Sequence, residues 1–146
     1  MRFVVRTNVA TPPEAVFPVF GEKAFVESLS PRIMGLRVVR IGLALGDEIE
    51  VRFAGLGPRG PWVSRIDTLE RSQASIFFVD ESTEIPWPFR WVHHHHGFVA
   101  TAGGTTLVDD VRFETRLGPL GALVYPVLWW SFVRRRGTYQ ARFGKP

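Results

Sequence analysis

The chain contains no cysteine, which removes disulfides, thiolate metal sites and cysteine nucleophiles from consideration. A metal ion would have to rely on imidazole and carboxylate. Lysine is almost absent: Lys23 and Lys145 are the only two among 18 basic residues. The arginines are scattered among glutamates and apolar residues, and their one dense cluster is Arg134, Arg135 and Arg136. A dispersed excess of this kind, +4 in formal charge, describes a solvated surface, so nucleic acid is not an expected partner. No apolar run is long and clean enough to span a bilayer. The nearest, Leu117 to Val133, is interrupted by Gly118, Pro119, Gly121, Pro126 and Ser131 and falls short of the roughly 20 residues required. The opening MRFVVRTNVATPPE alternates like a strand and lacks the charged and apolar regions of a signal peptide, so the expected compartment is the cytoplasm. No G-x-S-x-G motif is present, which leaves covalent acyl transfer through serine without support.

What is there is a chain of 146 residues, 45% hydrophobic, enough for one domain over residues 1–146 with a substantial core. Phe3, Val5, Thr7 and Val9 alternate with Arg2, Val4, Arg6 and Asn8 as in a half-buried strand. Thr11, Pro12, Pro13 and Glu14 form a helix start with Thr11 as the capping residue, and two short helices are expected before Ser30-Pro31. From about residue 34 to 116 the pattern is strand throughout, as in Ile49, Val51 and Phe53 against Glu48, Glu50 and Arg52. Turn residues at Leu45-Gly46-Asp47, Gly55 to Pro61, Arg71 to Ala74, Ile85 to Phe89 and Ala102-Gly103-Gly104 divide it into about six antiparallel strands. After Gly118-Pro119, Leu120, Leu123, Val124, Val127, Leu128, Ser131 and Arg135 recur at helical spacing, with Pro126 expected to kink the helix or mark its true start.

An antiparallel sheet with one dry face and one long apolar helix is satisfied by curling the sheet around the helix. The expected fold class is therefore α+β, with about seven strands wrapped on a C-terminal helix. Such an arrangement leaves a cavity between sheet and helix, the default position for a small-molecule site.

Several motifs follow this element order. They are Pro88-Phe89 leading into Trp91-x-His93-x-His95, then Gly103-Gly104-Thr105, Asp109-x-Val111-x-Phe113 and Leu117-Gly118-Pro119-Leu120-Gly121, with Trp62 and Ile66 in an earlier strand. Together they resemble the START-like (SRPBCC) superfamily of helix-grip proteins, and more narrowly its bacterial polyketide cyclase/dehydrase-like branch. The likeness covers essentially the whole chain and implies a helix-grip fold that binds hydrophobic or amphipathic ligands; only some members are enzymes. The pattern departs after His95, where an aromatic is expected two residues on but His96 and Gly97 precede Phe98; a bulge is expected there.

All four histidines, His93 to His96, are consecutive and lie inside a strand-like segment, which excludes a purification tag. Alternation places His93 and His95 on one face with Trp91, and His94 and His96 on the other. If the following hairpin centres on Ala102, His95 stands opposite Asp109 and His93 opposite Val111, so His93, His95 and Asp109 are expected to face the cavity. The pair His95 and Asp109 then has several uses. It could hold strand to strand, orient the polar end of an apolar ligand, act as acid and base in an aromatase/cyclase-type reaction, or, with His93, ligate a metal. No metal and no cofactor is expected. The candidate ligand-binding residues are Trp91, His93, His95, Asp109, Val111, Phe113, Phe53, Trp62 and Val127. The segment FAGLGPRGPW is either a hairpin loop or a flap over the cavity, and of Trp129 and Trp130 at least one ring is expected to pack in the core, with a place in the pocket lining as the alternative. Arg134 to Arg136 reads as a solvated helix end; contact with acidic lipid headgroups is the alternative, so membrane contact is at most peripheral. The oligomeric state is not legible.

Overall fold

A computed structural model describes all residues, 1–146. The chain runs through β1 (Arg2–Val9), α1 (Pro13–Val16), a 3-10 segment (Phe17–Gly21), α2 (Lys23–Ser28) and a short 3-10 turn (Arg32–Met34). Then follow β2 (Leu36–Arg40), β3 (Glu48–Phe53), β4 (Trp62–Arg71), β5 (Ser75–Glu84), β6 (Phe89–Thr101) and β7 (Gly104–Thr115). A third 3-10 segment (Gly118–Leu123) leads into α3 (Val124–Val133) and α4 (Arg135–Phe143). The seven strands form one antiparallel sheet in the order β1-β7-β6-β5-β4-β3-β2, so that α1 and α2 bridge its two edge strands. Pro126 sits in the first turn of α3, where its missing N–H costs little.

Thr11 does not cap α1. Pro12 occupies the cap position, and the Thr11 hydroxyl instead donates to the Phe143 carbonyl at 2.7 Å, tying the end of α4 to the end of β1. No helix is long and apolar enough to cross a membrane.

The interior holds two hydrophobic clusters. One gathers Phe17, Phe20, Phe25, Ile76, Phe78, Phe98, Leu107, Tyr139 and their neighbours; the other gathers Phe3, Phe89, Val92, Val111, Phe113 and Phe132. On each central element the two are separated by polar residues. Along β6, His94 and His96 lie between Val92 and Phe98; along β7, Asp109 lies between Leu107 and Val111; at the junction of α3 and α4, Arg135 lies between Phe132 and Tyr139. Burying polar groups at this depth is costly unless they satisfy one another, so their alignment across three elements marks a site rather than a packing accident.

Candidate functional site

The β6–β7 turn decides which histidines enter that site. Its loop is Ala102–Gly103, and Thr101 pairs with Gly104, which gives His94 opposite Val111 and His96 opposite Asp109. Gly104 already belongs to the sheet: its φ is +139°, and a Cβ there would collide with the Val9 carbonyl oxygen of β1. The expected centre at Ala102 is therefore wrong by half a residue, and odd positions of β6 meet even positions of β7. The inward face of β7 is as expected, with Leu107, Asp109, Val111 and Phe113 all buried. The inward face of β6 is the opposite of the expected one and carries Val92, His94, His96 and Phe98.

Trp91, His93 and His95 consequently stand on the outer face. There Trp91 donates to Glu81, His93 lies 3.5 Å from the same carboxylate, and His95 stacks on Phe77 with ring centroids 4.9 Å apart. The expected bulge after His95 is absent, because on the even face His96 and Phe98 continue the alternation from Val92 and His94 without interruption. The irregularity of β6 lies at its start, between Phe89 and Trp91.

Between β3, β4, β6 and α3 is a cavity of about 690 Å³. Its walls are apolar, including Val51, Phe53, Trp62, Phe89, Val92 and Leu128, while Leu56, Pro58, Trp87 and Val127 stand at its mouth. The FAGLGPRGPW segment thus borders the opening. Of the expected ligand-binding residues, Phe53, Trp62, Val111 and Val127 line the cavity. Phe113 points inward but is consumed by packing against Phe3, Phe89 and Tyr125. Asp109 lies behind the wall, under His94 and His96.

The polar end of the cavity consists of Ser64, Asp80, His94, His96 and Arg135. The two imidazoles lie face to face, with centroids 3.5 Å apart and planes tilted by 37°, clamped between two carboxylates. His94 Nε2 is 2.9 Å from Asp109 Oδ1, and His96 Nε2 is 2.7 Å from Asp80 Oδ2. Tyr139 donates its hydroxyl to Asp109 Oδ2 at 3.2 Å. Arg135 lies 3.9 Å from Asp109 and rests on the Phe132 ring, 3.6 Å from its centroid.

The charge states follow. Burial holds His94 down to about 4, and the neighbouring His96 adds to this against the pull of Asp109 and Asp80. Burial would raise Asp109, but the hydrogen bond and charge of His94, with Arg135 and His96, bring it down to about 2. Asp80 is lowered for the same reasons, burial being outweighed by His96 and His94. Burial and the charge of Asp109 raise the Tyr139 phenol, which keeps its proton. At neutral pH Asp109 is an acceptor only, so His94 carries its proton on Nε2 and leaves Nδ1 with a free lone pair.

Asp80, Arg135 and Tyr139 were not among the expected site residues. Asp80 was legible in principle, since it follows the inward Ile76 and Phe78 at strand spacing. Arg135 shares a helical face with Phe132 and Tyr139, a spacing at odds with the solvated role expected for the arginine cluster. Trp129 and Trp130 are 43% and 49% exposed, not core residues, and Trp130 borders the cavity.

No family model matches the chain, and no curated protein matches it in sequence. Solved structures do match in shape. Protein CV1439 from Chromobacterium violaceum has a TM-score of 0.72 at 13% identity, covering 99% of this chain and 98% of that one. Ara h 8.0201 gives 0.63 at 15%, covering 98% and 97%, and an AHSA1-like protein from Aeromonas hydrophila gives 0.60 at 13%, covering 99% and 94%. The fold is the helix-grip fold. At such identities these neighbours establish architecture alone.

Proposed function

We propose that the protein binds a small hydrophobic or amphipathic molecule, lipid-like or polyketide-like, in the cavity between sheet and C-terminal helix. The observation that carries this is the cavity itself: about 690 Å³, within the range of drug-sized ligand sites, apolar along its walls and polar only at one end. An apolar body would lie along Val51, Phe53, Trp62 and Leu128, and a polar end would meet His94, His96, Asp80 and Arg135. Any proton exchange with such a ligand falls to His94 and His96, the two histidines that line the cavity.

Protein purified without a nickel column, extracted with organic solvent and examined by native mass spectrometry, should yield a bound apolar molecule. Val51→Trp, which fills the cavity from β3, should weaken binding of a fluorescent fatty-acid probe by at least about tenfold, or about 1.4 kcal/mol. Unchanged probe affinity in that variant, together with an empty native spectrum, would overturn the proposal.

A second reading, peripheral lipid handling, is favoured by α3. Its inner face packs on the core through Phe132, yet Val127 and Trp130 are exposed beside the cavity, as is Leu123 at the end of the preceding 3-10 segment. A helix apolar on both faces is normally buried or in contact with lipid. The double substitution Leu123→Ser and Val127→Ser should reduce co-sedimentation with phosphatidylglycerol vesicles several-fold and leave thermal stability within about 1 kcal/mol. Undiminished co-sedimentation would remove α3 from the contact.

A further inference from the structure

We propose that Asp80, His94 and His96 form a binding site for a divalent transition ion of the zinc type, with its open position facing the cavity. The ligand atoms of these three residues lie within 4.8 Å of one another. Tetrahedral coordination at zinc distances spaces ligand atoms about 3.4 Å apart. His94 Nδ1 is 3.9 Å and His96 Nε2 is 2.7 Å from Asp80 Oδ2, one slightly wide and the other slightly close. The two rings must turn toward the ion, a motion about their last side-chain torsion, which is broad and soft in histidine.

Three features beyond the triad support the assignment. Asp109 accepts from His94 Nε2 and in turn from Tyr139, so the ring is fixed in the tautomer that aims the Nδ1 lone pair toward Asp80. A carboxylate behind a ligating imidazole is the usual support of a metal-bound histidine. His96 Nδ1 and Arg135 Nε are buried without hydrogen-bond partners, an incompletely satisfied set in an otherwise paired cluster. With neutral imidazoles, as ligation requires, the carboxylates of Asp80 and Asp109 outnumber the single guanidinium of Arg135, so the pocket carries a surplus negative charge that a cation would neutralise. Two imidazoles and one carboxylate, with a fourth position opening to a cavity, is the donor set of a reactive rather than a purely structural site. Ligation at His96 Nε2 shifts that neutral ring's one proton to Nδ1, which has no other partner, and His94 Nδ1 has none to lose, so the ion enters without net proton release.

The inference goes beyond the ligand-binding proposal and does not require it, because the ion needs only the three side chains. In chelator-treated protein purified without nickel, calorimetric titration with Zn²⁺ alone should show one ion per chain, with a heat that does not change between buffers of different ionisation enthalpy. Co²⁺ should give a tetrahedral visible absorption band. Asp80→Asn and His96→Gln should each weaken Zn²⁺ binding by at least about tenfold, and Asp109→Asn by about 10- to 100-fold, while His93→Gln and His95→Gln leave it unchanged. Absence of Zn²⁺ binding in the folded wild-type protein, or binding lost in His93→Gln and His95→Gln but kept in Asp80→Asn, would overturn the assignment. Uptake of the fatty-acid probe, measured on the same preparations, reports separately on the cavity.

Discussion

Alanine in place of Asp109 should destabilise the protein by about 3–5 kcal/mol, the largest loss expected from any single polar substitution. Asp109 is only 3% exposed, accepts hydrogen bonds from His94 and Tyr139, and faces Arg135. Removing it leaves a buried N–H, a buried hydroxyl and a guanidinium without a carboxylate. The cost is mainly that of these stranded groups rather than of the bonds themselves. Tyr139→Phe removes one donor and strands little, so about 1 kcal/mol is expected, and His95→Gln on the outer face should stay within about 0.5 kcal/mol. Urea denaturation of the three variants checks the ranking. Were His95→Gln as damaging as Asp109→Ala, the inward placement of His94 and His96 would be untenable.

Acid should unfold the metal-free protein earlier than its carboxylates alone require. His94, held down to about 4 by burial, has an ordinary value of 6.5 once unfolded. Between those values the unfolded chain binds a proton that the native state refuses, so stability falls as the pH drops from 6.5 toward 4. The loss across that interval is about 3 kcal/mol, because one proton taken up only on unfolding changes stability by roughly 1.4 kcal/mol for each pH unit. Asp109, lowered to about 2, acts in the same direction further down: its stabilisation is present above 3.8 and is lost as the pH falls through that value toward 2. Urea midpoints measured with EDTA from pH 7 to 4 should decline in the wild type. His94→Gln, which keeps a donor toward Asp109 but cannot titrate, should decline much less across that range, the remainder coming from His95, which burial also lowers. Parallel curves would mean that another group governs the acid limb.

The helix-grip architecture was legible because its signals are local. The alternation of Ile49, Val51 and Phe53, or of Val111 and Phe113, is imposed by the pleat of a single strand and needs no partner to be read. The inward placement of Asp109 was legible for the same reason. The facing of the histidines was not. In the sequence both faces of residues 91–96 look alike, one apolar residue and two imidazoles on either side, so nothing within β6 chose between them. The choice came from β7 through a turn, and a half-residue error there exchanges every side chain of the strand.

Composition and periodicity were sufficient for the element order, the seven-stranded sheet, the C-terminal helix and a cavity between them. They also confined any metal chemistry to histidine and carboxylate. Tertiary structure was needed to decide that His94 and His96, rather than His93 and His95, enter the cavity, because the pairing of β6 with β7 sets which face of β6 turns inward. Tertiary structure also brought Asp80 from β5 and Arg135 and Tyr139 from the terminal helix to the same point. Convergence of residues spread over 59 positions, from Asp80 to Tyr139, depends on how the sheet curls around the helix, and no local pattern encodes that.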